Sequence, residues 1–155
     1  MEAYQLYGRA LRRKAARMLG SDADAGDVVQ ALFVELLERP ELPLDLPYLY
    51  RAVTNRCLSI IRDESNRARL LPPEPLASPA RTLLDDRAIS HDLLVKLARR
   101  LDDEHCQVLT YRFVDDMTQD EIARLLGLSR KTIGHRLDTI RAAVEQLARS
   151  EGGAP

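Results

Sequence analysis

Thr118-Gln-Asp-Glu-Ile-Ala-Arg-Leu-Leu-Gly-Leu-Ser-Arg-Lys-Thr-Ile-Gly-His-Arg-Leu-Asp-Thr-Ile140 is the stretch on which the fold turns. Thr118 followed by Glu121 is a capping box, which starts a helix. Ile122, Leu125 and Leu126 give that helix an apolar face, and Ala123 leaves room for a neighbour to approach. Gly127 permits a sharp turn, Leu128 fills it, and Ser129 is a natural N-cap for a second helix. Ile133, Leu137, Ile140, Val144 and Leu147 then form a clean apolar stripe. A short helix, a glycine turn and a second helix make the helix-turn-helix motif of DNA-binding proteins. The second helix is expected to expose Arg130, Lys131, Thr132, His135, Arg136 and Arg141, opposed only by Asp138. Basic charge thus gathers where a recognition helix meets the major groove. Residues Ser129, Arg130, Lys131 and Thr132 suit base edges, and His135 and Arg136 suit edges or phosphates.

Bulk properties restrict what surrounds this motif. The 155 residues are 45% hydrophobic and 30% charged, the profile of a folded helical protein and not of a disordered tail. No apolar run approaches the roughly 20 residues a membrane span needs, and the N-terminus has no secretory pattern, so the reading is cytoplasmic without membrane insertion. Cys57 and Cys106 are far apart and lack CxxC spacing, which suits reduced, packed thiols. Net charge is −1 and the pI about 6.3, which argues against a chain that grips DNA unaided, because phosphate neutralisation supplies much of such affinity.

Working outward, nearly every segment is periodic at helical spacing. Tyr4, Tyr7, Leu11, Ala15 and Met18 mark a first helix that Gly20 stops. A second opens near Asp24, with Ala25, Val29, Leu32 and Leu36 on one stripe and Val28, Phe33 and Leu37 beside it. Pro40 to Pro47 holds three prolines and predicts an irregular loop. Leu46, Leu49, Tyr50, Val53, Cys57, Ile60 and Ile61 then describe a long helix fading into the polar run Arg62 to Arg69. Four prolines between Leu71 and Arg81 suggest an extended linker. Periodicity resumes at Ile89, Leu93, Leu94, Leu97 and Leu101, and a further helix surrounds Cys106, Leu109 and Phe113. No segment alternates like a strand. The expected fold class is all-α: an N-terminal helical bundle over residues 1–69, a Pro-rich linker over 70–88, and a helix-turn-helix domain over 89–150.

Three stretches together resemble the extracytoplasmic-function (ECF, group IV) sigma factors of bacterial RNA polymerase. Asp22-Ala-Asp-Ala-Gly-Asp-Val-Val-Gln-Ala-Leu-Phe33 is similar to that family's core-binding segment, D-A-E-D-V-V-Q-E-x-F. Leu46-Pro-Tyr-Leu-Tyr-Arg-Ala-Val-Thr-Asn-Arg-Cys-Leu58 resembles its next helix, P-x-x-W-L-x-x-I-A-x-N-x-x-x-D. Leu101-Asp-Asp-Glu-His-Cys-Gln-Val-Leu109 with Met117 to Arg141 resembles its C-terminal domain. The resemblance implies a promoter-recognition subunit whose partners are core RNA polymerase, through its clamp helices and flap, and promoter DNA; the tethered architecture also leaves room for an anti-sigma factor. On this chain Asp24, Asp27 and Gln30 would face the clamp helices. Tyr48, Arg51, Asn55 and Arg56 would receive the minus-ten element as melted strand, through stacking, an amide and phosphate contacts. The recognition helix would take the minus-thirty-five element. For Tyr50, on the apolar stripe, core packing is the expected role.

The sequence departs from the family at Ala31, where an acid is usual, at Tyr48, where Trp is usual, and in the mixed charge of Arg62 to Arg69. No catalytic, metal or cofactor site is expected. Asp22-x-Asp24-x-Gly26 mimics a calcium loop, but its Gly falls one place early and Phe33 stands where the bidentate Glu belongs. His91, His105 and His135 lack ligand spacing. Two other readings stay open: a stand-alone helix-turn-helix regulator, which would need no polymerase-facing half, and a sigma paralogue that binds polymerase without opening promoters.

Overall fold

Local sequence sets each helix boundary. The computed structural model describes residues 2–68, 70 and 89–152, and among these it contains seven helices and no strand. They are α1 (Glu2–Leu19), α2 (Asp22–Glu38), α3 (Leu46–Ala68), α4 (His91–Ala98), α5 (Asp103–Phe113), α6 (Gln119–Leu126) and α7 (Arg130–Gly152). The residues cluster into two compact units, Met1–Ile60 and Ile61–Pro155, so the last two turns of α3 count with the second. The linker expected over 70–88 lies outside the described residues except for exposed Leu70.

In the first unit α1 and α2 form a hairpin. Gly20 turns the chain at φ 70°, and its N–H donates to Ala16 O at 2.9 Å. The α2 helix opens two residues earlier than its apolar stripe suggests, because the Ser21 hydroxyl accepts from Asp24 N at 3.2 Å and sets the start. Leu11, Ala15 and Met18 of α1 and Ala25, Val29, Leu32 and Leu36 of α2 are almost fully buried in the core of this hairpin. Tyr4 closes one end, its ring edge-on to Phe33 with centroids 5.1 Å apart. Leu37, expected beside the stripe, is instead 66% exposed. A helix buries only a limited arc, and Phe33 and Leu36 already fill it.

The α3 helix starts inside the Pro40–Pro47 stretch. Asp45 caps it, accepting from Tyr48 N at 2.9 Å, and Pro47 falls in the first turn, where its missing N–H costs nothing. Leu49, Val53, Cys57 and Ile61 are buried, whereas Leu46 and Ile60, at the edges of the same stripe, are exposed. The helix does not fade after Ile61 but continues to Ala68. Its polar side chains find partners within the second unit: Arg62 Nε lies 2.7 Å from Asp103 Oδ1, and Nη2 donates to Leu101 O at 3.1 Å. Arg99 donates to the Ser65 hydroxyl at 2.9 Å, and Glu64 meets His91 Nε2 at 3.0 Å.

The rest of the second unit is built around α7, which packs on both α5 and α6. Ile133, Leu137 and Ile140 of α7 are fully buried, as are Leu109 of α5, Ile122 of α6 and Leu93, Leu94 and Leu97 of α4. Ser90 caps α4 and Asp102 caps α5. Neither cysteine is in a disulfide, and both are buried. Burial pushes the Cys106 thiol up to about 11, against the opposing pull of Arg62.

Candidate nucleic-acid and polymerase interfaces

The geometry of the helix-turn-helix follows from its capping chemistry. Thr118 Oγ1 accepts from Glu121 N at 3.1 Å, and Glu121 Oε1 accepts from Thr118 N at 3.1 Å, so the box is closed on both sides. These bonds hold the Glu121 carboxyl below its ordinary range. The α6 helix ends at Gly127 with φ 67° and ψ 34°, and Leu128 N returns to Ala123 O at 2.9 Å. Ser129 Oγ then accepts from Thr132 N at 3.1 Å and meets Thr132 Oγ1 at 2.9 Å. Both hydroxyls are thus engaged in starting α7, where they sit beside the helix's exposed first turn.

Around α7 the side chains divide by flank. Arg130, Lys131 and His135 are exposed and Thr132 is half-buried. Arg130 Nε lies 3.7 Å from Asp120 Oδ1, a loose surface pair that leaves the guanidinium mostly in solvent. Arg136 differs. Expected on the outer face, it is half-buried on the flank toward α5, its side chain 18% exposed and its Nη2 3.2 Å from Glu104 Oε2. Leu137 and Ile133 fix the rotation of the helix, and that rotation carries Arg136 toward the α5 N-terminus, where Asp102, Asp103 and Glu104 gather.

In the first unit Asp24, Asp27 and Gln30 are all exposed along α2. Asp22, in the same first turn as Asp24, is held by Arg12 through two bonds of 3.1 and 2.8 Å. Gly26 makes room for that guanidinium, since a Cβ there would stand 3.2 Å from Arg12 Cζ. At the start of α3, Arg51 and Asn55 are exposed and Tyr48 is half-buried. Arg56 is half-buried and ion-paired with Glu35 of α2, which also reaches Arg39 at 3.6 Å. Tyr50 is half-buried beneath Lys14, whose ammonium sits 5.1 Å from the ring centroid. Lys14 itself is fully buried on α1.

Three of these residues escaped the sequence reading. Lys14 shares the helical spacing of Leu11, Ala15 and Met18, which was the available signal. Glu35 and Glu104 act across helices, and nothing local marks them. Among the described residues no group of three or more His, Cys, Asp or Glu is arranged to hold a metal. No helix is long and apolar enough to cross a membrane.

Two family models match the chain: Sigma-70 region 2 over residues 3–67 and Sigma-70, region 4 over residues 97–147. The chain belongs to the sigma-70 family. The first match spans α1 to α3 and the second spans the helix-turn-helix with the α5 helix before it, in the order that sigma factors carry them. This sigma factor therefore binds RNA polymerase and directs promoter recognition, and proteins of its kind are generally DNA-binding regulators without enzymatic activity. No curated protein sequence matches the chain.

Proposed function

We propose that the chain is an ECF-type sigma factor acting in the cytoplasm without catalytic chemistry of its own, its two halves dividing the promoter between them. Residues 1–69 engage the polymerase clamp helices and receive the melted minus-ten element, 70–88 serve as the tether, and 89–150 hold the minus-thirty-five element and dock on the flap. The observation that carries this reading is charge placement. On α2 Asp24, Asp27 and Gln30 are exposed, while the exposed start of α7 presents Arg130, Lys131 and His135. A carboxylate-and-amide face suits a basic protein surface, and a basic helix face suits phosphate and base edges.

The minus-ten surface would use the exposed Arg51 and Asn55, with Tyr48 as a stacking plane and Arg56 contributing once it leaves Glu35. Ser129 and Thr132 would present the helix start, and Arg136 would support the minus-thirty-five contact from the α5 flank. Polymerase supplies most phosphate contacts in such an assembly, which reconciles promoter binding with a net charge of −1. An anti-sigma factor that covers the Asp24–Gln30 face would silence the protein.

Reconstitution with bacterial core RNA polymerase tests the reading, using co-elution and run-off transcription from genomic promoter fragments. Co-elution with specific initiation supports it, and Asp27→Arg should then weaken assembly at least tenfold. Co-elution without initiation would identify a paralogue that occupies polymerase only. Tight duplex binding by the chain alone, without association, would favour the stand-alone regulator.

A further inference from the structure

The α1 helix carries five basic residues, Arg9, Arg12, Arg13, Lys14 and Arg17, against a single acid, Glu2, in its first turn. Two of the five are accounted for inside the fold, Arg12 by Asp22 and Lys14 by burial over Tyr50. The other three, Arg9, Arg13 and Arg17, are exposed and have no carboxylate or carbonyl partner among the described residues. They follow one another at i, i+4 and i+8, so they form an inclined row that rises about 12 Å along the helix in steps of about 6 Å.

Such a row is unfavourable for the folded chain alone. Like charges at i and i+4 repel one another. Arg17 gains something from the negative end of the helix, but Arg9 and Arg13 lie too far from it. Elsewhere Arg39, Arg56, Arg62, Arg130, Arg136 and Arg141 each meet a carboxylate. Arg9, Arg13 and Arg17 instead stand together on the exposed face of one helix with no acid between them, which suits an anionic partner outside the chain.

We propose that Arg9, Arg13 and Arg17 form a track for the phosphate backbone of duplex promoter DNA, separate from the base-reading residues assigned to α3 and α7. Arginines stepped evenly along one helix suit an evenly stepped row of phosphates, which each fork can grip with two parallel hydrogen bonds. The contact is independent of sequence and positions the first unit on the duplex without specifying it. It also supplies local positive charge to a chain whose net charge is −1.

The test uses holoenzyme carrying R9Q, R13Q and R17Q together, since Gln keeps nearly the helix propensity of Arg. Promoter-fragment affinity is measured across a salt series, with co-elution and run-off start sites followed in parallel. The expected result is unchanged assembly, an unchanged start site, and a slope of log affinity against log salt shallower by about 2.7, or about 0.9 per lost duplex contact. The charge-retaining set R9K, R13K and R17K should keep the slope. An unchanged slope overturns the proposal. So does loss of assembly, which would assign the row to an acidic polymerase surface, and so does a loss confined to single-stranded fragments.

Discussion

Arg136 Nη2 of α7 lies 3.2 Å from Glu104 Oε2 at the first turn of α5, and this pair ties the two helices together. Both the stem and the head of Arg136 therefore contribute to packing. Arg136→Ala is expected to lower unfolding free energy by about 1 kcal/mol while also weakening promoter binding. Lys131→Ala, on the outer face, should change stability by less than about 0.5 kcal/mol and reduce the salt slope of binding by about 1. Urea titrations beside binding titrations separate the two. Equal stability in both variants would mean that the ion pair contributes nothing.

The Arg56–Glu35 pair makes an opposite prediction for the minus-ten surface. Glu35→Gln removes the charge that holds Arg56, so holoenzyme affinity for a forked promoter should rise several-fold. The salt slope should steepen by about 0.7, the value for one single-strand phosphate. An unchanged slope would confine Arg56 to joining α2 and α3.

At Gly127 the backbone sits at φ 67° and a Cβ would meet nothing within 4 Å, so strain acts alone. Gly127→Ala should destabilise by about 1 kcal/mol, and Gly127→Asn by less, since Asn tolerates the left-handed region. Chemical denaturation monitored by circular dichroism reads both. A neutral alanine would mean that the turn relaxes.

Acid should loosen the second unit. The Asp102 carboxyl is held below its usual range, first by the His105 backbone N–H and then by the His105 ring, and Glu121 is lowered by its bonds to Thr118. Groups whose folded pKa is depressed contribute stability above their unfolded value, and that contribution disappears as pH falls through the folded value. Stability should hold above the ordinary glutamate value of 4.5 and decline progressively below it. Glu121→Gln should be less stable at neutral pH and lose less on acidification. A parallel loss in both proteins would remove Glu121 from the account.

The features legible beforehand were those encoded within one turn of helix. Thr118 with Glu121, Gly127 and Ser129 announced the helix-turn-helix because caps and turns depend on residues three or four apart. The stripe of Ile133, Leu137 and Ile140 gave the buried face of α7 for the same reason. Periodicity gives the direction of a face but not its width, which depends on what packs against it. Leu37 and Ile60 were assigned inward and Arg136 outward on that account. Glu35 and Glu104 reach residues 21 and 32 positions away, and such pairings arise only once the helices are assembled. Asp24, Asp27 and Gln30 were placed by resemblance, and their exposure is a property of the helix that carries them.

Cys57 belongs to the first unit and Cys106 to the second, each with no measurable solvent exposure. A shielded thiol, and at Cys106 one kept protonated near neutrality, reacts with alkylating reagents only when its surroundings open. The protein thus carries two built-in chemical timers. The labelling rate at each sulfur reports how often that half of the molecule comes apart, without any engineered probe.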